Sequence, residues 1–391
     1  MKKVNCIIAG IFLAIGTSFA QEKPEKFSVT PIGRFYLDGT AFFNSDPKLG
    51  SGATFSDIRL GIKGKYQKFQ GKAELGFSKN KLSLKDIFVE YDFHPNSFVR
   101  AGHFGEPFGI DYMESSANIK FISAGAVTEA FAPGRKLGIE YIGWKGWFWY
   151  AGGIFGDTHF QEKINYTQTD GYAVTGRIAF NPIKEQGGIV HFGVASTFRR
   201  PDPAKEGSIR DVTFGATLGS SINSQKFVEA KVTDARNTFK VAGEFIGAIH
   251  KFSLQSEFFY IQTNRYKNLP KYQALGTYGQ IGFLAIGDGY SYANEWARLK
   301  LPKPGSLEFV ARYSYLDLND QEANILGGKQ KQLSLACNYY WKKFITLRLN
   351  YDHACINGAK ENQHFNFLSA RVQVYFCLLY TSDAADDRIS V

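Results

Sequence analysis

The chain lacks any apolar run long enough to cross a membrane as a helix, and it carries only four cysteines among 391 residues. A spanning helix needs about 20 consecutive apolar residues, and the Ile7–Ile15 run falls well short of that. Cys6 lies inside this N-terminal run, Cys377 lies in the tail, and Cys337 and Cys355 fall on neighbouring expected strands, with Cys337 on the apolar face. That pattern supports neither a disulfide framework nor a metal site. The seven histidines (94, 103, 159, 191, 250, 353 and 364) are tied to no serine or cysteine nucleophile signature. A His-Glu-x-x-His spacing is also missing. We therefore expect no catalytic residue, no metal ligand and no cofactor site, and the hydrolase reading is set aside.

What is present begins with an export signal. Lys2 and Lys3 form a basic start, Ile7 to Ile15 a short apolar core, and Ser18-Phe19-Ala20 a small-x-small cleavage site. Residues 1–20 read as a cleaved signal peptide, 21–28 as a short periplasmic segment and 29–376 as a single body.

That body alternates. In the closing stretch Leu368, Ala370, Val372, Val374 and Phe376 are apolar, while Ser369, Arg371 and Gln373 between them are polar. Successive side chains of a strand point to opposite faces, so this is one oily and one wet face. The design recurs along the chain. Phe35 and Leu37 oppose Arg34, Tyr36 and Asp38; Leu60 and Ile62 oppose Arg59; Phe309, Ala311 and Tyr313 oppose Glu308 and Arg312; Leu347 and Leu349 oppose Arg348. With 40 glycines and 21 tyrosines, this is the pattern of an all-β, transmembrane antiparallel β-barrel of an outer membrane. We expect 16 strands, or 18 if Gly219–Asn237 holds a further hairpin. A soluble β-sandwich or β-helix is the competing fold.

Connections alternate in length. Short turns fall at Gln67-Lys68, His94–Asn96, Lys145-Gly146, His250-Lys251 and Lys342-Lys343; longer links fall at Asn44–Gly52, Gly105–Arg135, Asp157–Asp170, Arg265–Lys271, Asn319–Lys329 and Asn357–His364. Barrels of outer membranes have short periplasmic turns and long outer loops. The longest link, Gly105–Arg135, contains Phe108, Ile110, Met113, Ile119, Phe121 and Ile122, more apolar surface than a freely solvated loop needs. It either folds into the lumen or covers the outer mouth. Asp288–Pro304 fits no strand pattern.

The chain carries a formal net charge of +10, and the signal and tail do not account for it. In a soluble protein this would suggest nucleic acid. In a barrel the charges must point inward, because Arg or Lys on the lipid face costs about 2–4 kcal/mol at the midplane. Arg34, Arg59, Arg100, Arg177, Arg312, Arg348 and Arg371 all fall opposite the apolar face. They are candidates for an anion pathway, guanidinium forks being matched to phosphate oxygens. The alternative role for each is a brace paired with a lumen acid such as Asp38, Asp57, Glu74, Asp86 or Glu308.

Five stretches resemble the phosphate-selective porin O and P family: Gly33–Gly39, Arg100–Gly109, Ala130–Gly138, Ala311–Leu318 and Ala370–Phe376. They occur in family order across the body. The resemblance implies a homotrimer of 16-stranded barrels in the bacterial outer membrane, each with an inward-folded third loop. It also implies a passive pathway for small phosphate-like anions along lumen arginines and constriction lysines. The sequence departs from that pattern at the constriction, where only Lys120 precedes Arg135 and Lys136, against Glu106, Asp111, Glu114 and Glu129. Lys120 thus joins the seven arginines as a pathway candidate. A general or weakly selective porin, and a plugged structural or adhesive barrel, are the other function readings. Outer-membrane lipid is the expected surrounding, and no nucleic acid partner is expected.

Residues 377–391 break the two-face pattern and turn acidic, resembling translated adapter sequence rather than part of the fold. A chain stopped at Phe376 is expected to assemble in outer membranes at least as well as the full chain, read as folded protein per cell by heat-modifiable gel mobility. Poorer assembly of the shortened chain would show that the tail belongs to the protein.

Overall fold

The computed structural model describes residues 27–78, 81–157, 169–185, 187–203, 210–358 and 362–377. The expected signal, nearly all of the 21–28 segment, His159 and residues 378–391 lie outside them. Strands run β1 (Ser28–Asp46), β2 (Gly52–Tyr66), β3 (Phe69–Ser78), β4 (Lys81–His94), β5 (Ser97–Gly105), β6 (Arg135–Lys145) and β7 (Phe148–Gly156). Next come β8 (Tyr172–Glu185), β9 (Gly188–Arg200), β10 (Val212–Ala216), β11 (Val228–Val232), β12 (Ala235–Ile249) and β13 (Phe252–Arg265). The chain closes with β14 (Tyr272–Ile286), β15 (Tyr292–Ala293), β16 (Arg298–Leu299), β17 (Leu307–Asp320), β18 (Ile325–Lys342), β19 (Ile345–Asn357) and β20 (Asn362–Cys377).

Among the described residues, sixteen of these strands form one closed antiparallel barrel, with β1 hydrogen-bonded to β20. Closure removes every sheet edge, the only way strands satisfy their backbone groups in lipid. At the seam Gly33 pairs with Phe376, whose ring lies over the glycine where a Cβ would collide with it. The last strand runs one residue past the expected limit, pairing Cys377 with Ile32.

The two faces follow the alternation. On β13, Phe252, Leu254 and Phe258 face outward, while Ser253, Gln255 and Glu257 are buried in the lumen. The seven expected lumen arginines are all buried on the inner side. Aromatic rings cluster near the strand ends, as where Tyr91 meets Phe69 at 4.9 Å and Phe93 at 4.8 Å beside the short turns.

Three connections differ from expectation. The 18-strand option fails because the hairpin β10–β11 pairs only with itself and packs inside the wall, burying Phe214, Val228, Ala230 and Val232. Asn319–Lys329 is not a long link, since β17 and β18 keep pairing through Asn319 with Leu326 and Asp320 with Ile325. Its polar residues had suggested a loop, but an antiparallel ladder beyond the membrane can be polar on both faces. The third is Gly287–Ser306, which joins β14 to β17 at the short-turn end yet is long. It enters at Gly287 (φ +136°), a backbone conformation favouring glycine, and carries β15, β16 and the 3-10 turn Asn294–Trp296. Its Tyr290, Tyr292, Ala297 and Leu299 pack with Ile110, Trp149 and Ile246 inside the barrel.

Ile281 is 61% exposed near the middle of β14. Replacing it with Arg is expected to cost about 2–4 kcal/mol of unfolding free energy in lipid vesicles, whereas Ile281→Leu changes little. Equal urea midpoints for the two variants would contradict the assigned lipid face.

Candidate functional site

The segment between β5 and β6 enters the lumen and is fastened there by the wall. Two short helices, Ile110–Met113 and Ala126–Phe131, carry its apolar side chains into the interior. Phe108, Val127 and Phe131 pack against Phe259 and its neighbours, and Phe121 packs with Val310 and Ala336. Of the two placements the sequence left open, the loop takes the inward one.

Polar contacts fix it more firmly. Glu257 accepts hydrogen bonds from the backbone N–H of Ile110 at 2.7 Å and of Asp111 at 3.0 Å. Arg312 donates to Asp111 at 3.1 Å and, through Nε, to Gln280 at 2.9 Å. Lys120 is ion-paired with Glu308, which also accepts from the hydroxyls of Tyr290 and Tyr340 at 2.7 Å each. Arg348 donates to the carbonyls of Ala117 at 3.0 Å and Phe121 at 3.2 Å, and to that of Ile119. Arg34 reaches the hydroxyl of Ser116 at 2.9 Å.

Five of the eight candidates therefore join loop and wall: Arg34, Arg177, Arg312 and Arg348 touch the loop, and Lys120 reaches out of it. Arg177 meets the loop from below, donating to Met113 Sδ at 3.3 Å and to Glu244 at 2.8 Å. Its third contact, to the carbonyl of Ala297 at 3.0 Å, belongs to the Gly287–Ser306 segment, so one guanidinium joins loop, wall and inward segment. The other three candidates stay on the wall. Arg59 pairs with Asp57 at 2.8 Å and Glu74 at 3.1 Å, and Arg371 binds Asp38 through two parallel contacts of 2.7 Å. Arg100 pairs with Glu140 at 3.0 Å and lies 4.5 Å from the Phe88 ring centroid. Seven of the eight hold a carboxylate; Arg348 holds carbonyls.

The sequence did not single out Glu257, Glu244, Lys240 or Lys85. Glu244 and Glu257 stand directly opposite each other on β12 and β13. Two facing acids repel unless each finds a partner elsewhere; Glu244 finds Arg177 and Glu257 finds the loop amides. Knowing the strand register would have exposed this pair. Lys240 donates to the Phe131 carbonyl at 2.8 Å, and among the described residues neither it nor Lys85 has a carboxylate at ion-pair distance.

Residues 210–234 of the outer link close over the loop. Thr217 donates through its N–H to Glu129 at 3.1 Å, and Gln332 donates to the Leu218 carbonyl at 3.1 Å. Beside the loop, between Phe121, Gly125 and Arg312, remains a cavity of about 20 Å3, room for a single water. Within the loop, burial pushes the Glu114 carboxyl up to about 7, against the pull of Arg298 at 3.9 Å.

Residues 33–376 match the family described as Phosphate-selective porin O and P. The chain belongs to that family. It is an outer-membrane porin. An uncharacterized protein of Caulobacter vibrioides is 26% identical over 359 residues, covering 85% of this chain and 70% of that one. Among solved structures, the anion-selective porin from Comamonas acidovorans superposes with a TM-score of 0.59 at 13% identity, covering 90% of the porin and all of that chain. OmpT of Vibrio cholerae in its trimer form gives 0.59 at 12% identity, with 90% and 100% coverage. The channel DcaP of Acinetobacter baumannii gives 0.53 at 15%, with 92% and 100% coverage. These likenesses concern the fold.

Glu257 is the test of how the loop is held. Glu257→Ala leaves the Ile110 and Asp111 amides without their acceptor, a loss of about 3 kcal/mol for two buried donors left unsatisfied, or roughly a hundredfold in loop opening. Protease cutting within residues 106–134 is expected to speed up accordingly, and single-channel conductance to rise. Unchanged cutting in a folded variant would show that the apolar contacts alone hold the loop.

Proposed function

We propose that this porin gives passive, anion-preferring diffusion of small solutes such as phosphate through its lumen, working as a homotrimer in the outer membrane after removal of its signal. The observation that carries the reading is a set of lumen cations without carboxylates at ion-pair distance among the described residues, namely Lys85, Lys240 and Arg348. Fixed positive charge in a confined, low-dielectric pore raises the local concentration of anions. The net charge of +10 acts in the same direction. That one fold relative is an anion-selective porin and another forms a trimer is consistent with both parts of the reading.

The remaining candidates contribute differently. Arg34, Arg59, Arg100, Lys120, Arg177, Arg312 and Arg371 supply hydrogen-bond donors along the wall, but each charge is balanced by an acid beside it. Two buried acids, Glu257 and Asp352, have no cation at ion-pair distance among the described residues, and offset part of the positive field when ionised. The preference is therefore expected to be mild rather than strict. A second reading, a barrel closed at rest, is favoured by one observation: the third loop, residues 210–234 and the Gly287–Ser306 segment all occupy the lumen.

Planar bilayers in a potassium chloride gradient separate these readings. The first expects steps of current with a reversal potential on the chloride side, moved toward cation preference by Arg348→Gln. A silent bilayer with folded protein supports the closed barrel, and a cation-side reversal potential rejects anion preference. Acidity adds a check on the loop. Glu114 is charged well above pH 7 and neutral well below it, so lowering pH from 8 to 6 removes negative charge and is expected to shift the reversal potential further to the anion side. Glu114→Gln should reduce that shift; an identical pH response in the variant would clear Glu114 of the role.

A further inference from the structure

At the outer end of the lumen lies a cavity of about 470 Å3, separate from the small one beside Phe121. It sits between the Ala126–Phe131 helix, the β10–β11 hairpin and the wall, and Lys136, Arg199 and Lys240 reach it from three different strands. Two of these cations are already engaged. Lys136 lies 3.2 Å from Asp157, and Arg199 is ion-paired with both Asp157 and Glu106. Lys240 differs. The residue is only 6% exposed, one N–H bond goes to the Phe131 carbonyl, and its Nζ stands 5.4 Å from the Phe214 ring centroid. An ammonium has three donors, and a buried charge without a counter-ion is costly. The cavity it lines also receives Asp211, whose Oδ2 lies 3.8 Å from Lys231 but whose buried Oδ1 has no hydrogen-bond partner among the described residues. One wall therefore offers spare donors on a cation, and another offers a spare acceptor.

We propose that this cavity binds a small hydroxylated organic anion, its carboxylate or phosphate head on Lys240 beside Arg199, its hydroxyls donating to Asp211 and Glu129. Its volume lies within the roughly 300–1,000 Å3 usual for small-molecule sites, far more than an inorganic oxyanion fills. The mixed lining also argues against a plain anion, which would gain nothing from Glu129, Asp157 and Asp211 and would be repelled by them. The site stands at the mouth, above the loop, and so collects solute before the constriction. This deepens the anion-porin reading and rests on it for the route, not for the binding.

The test is calorimetric titration of the full-length porin in detergent with gluconate, glucose and inorganic phosphate, which needs no conduction. Saturable heat is expected with gluconate, none with glucose, and at least about tenfold weaker binding with phosphate. Lys240→Met is expected to weaken gluconate about tenfold or more, the loss of one charge-assisted contact. In case that variant does not fold, gluconate and not glucose is expected to shield Lys240 of the unaltered porin from an amine-acylating reagent, read by mass spectrometry. No gluconate heat, equal affinity in a folded Lys240→Met, phosphate bound as tightly as gluconate, or no shielding would each overturn the proposal. Gluconate binding with a cation-side reversal potential would reject anion preference and keep the site; the reverse outcome would reject the site alone.

Discussion

Everything inside this barrel follows from one constraint: a charge that has left water needs a partner within reach. The lipid face forbids charge, so within the membrane the strands send their arginines, lysines and acids to the lumen. A wide lumen would let water solvate them. Here three segments occupy that space, and the charges solve the problem by binding each other and the segments themselves. Removing one member of a buried pair typically costs about 3–5 kcal/mol, because the other is left alone. The wall and the inward loop are thus held together by the chemistry that could also attract an anion.

That double use explains why the arginines are poor evidence for selectivity taken one by one. Arg312 touches Asp111, Arg177 touches Glu244, and Arg371 grips Asp38 with both ends of its fork. Each is a brace by geometry. The field seen by a passing ion comes from what is left over, chiefly Lys85, Lys240 and Arg348. A pore of this kind favours anions by a small surplus rather than by a continuous basic track.

The barrel itself was legible in the sequence because a two-residue period survives wherever lipid lies on one side. Parity placed Arg34, Arg59 and Arg348 on the lumen face without knowledge of any neighbour. The inward position of 106–134 was half legible, from Phe108, Ile110 and Phe121, since apolar content says that a loop is buried but not where. What stayed hidden depended on register and distance. Glu257 reads as one more lumen acid until it is seen opposite Glu244 with the Ile110 amide above it. The Gly287–Ser306 segment has no periodicity to announce it, because its backbone pairs largely within the segment, as from Lys300 to Ser291, over a ladder of only two residues. At Asn319–Lys329 the error went the other way: a polar ladder above the membrane looks like a loop when only composition is read.

The central claim, that wall charges fasten the third loop inside the lumen, is tested most directly by hydrogen exchange on the folded porin. The amides of Ile110 and Asp111, both given to Glu257, are predicted to exchange as slowly as those of the barrel strands beside them. Exchange at the rate of the exposed 266–271 loop would contradict the account and place residues 106–134 free of the wall.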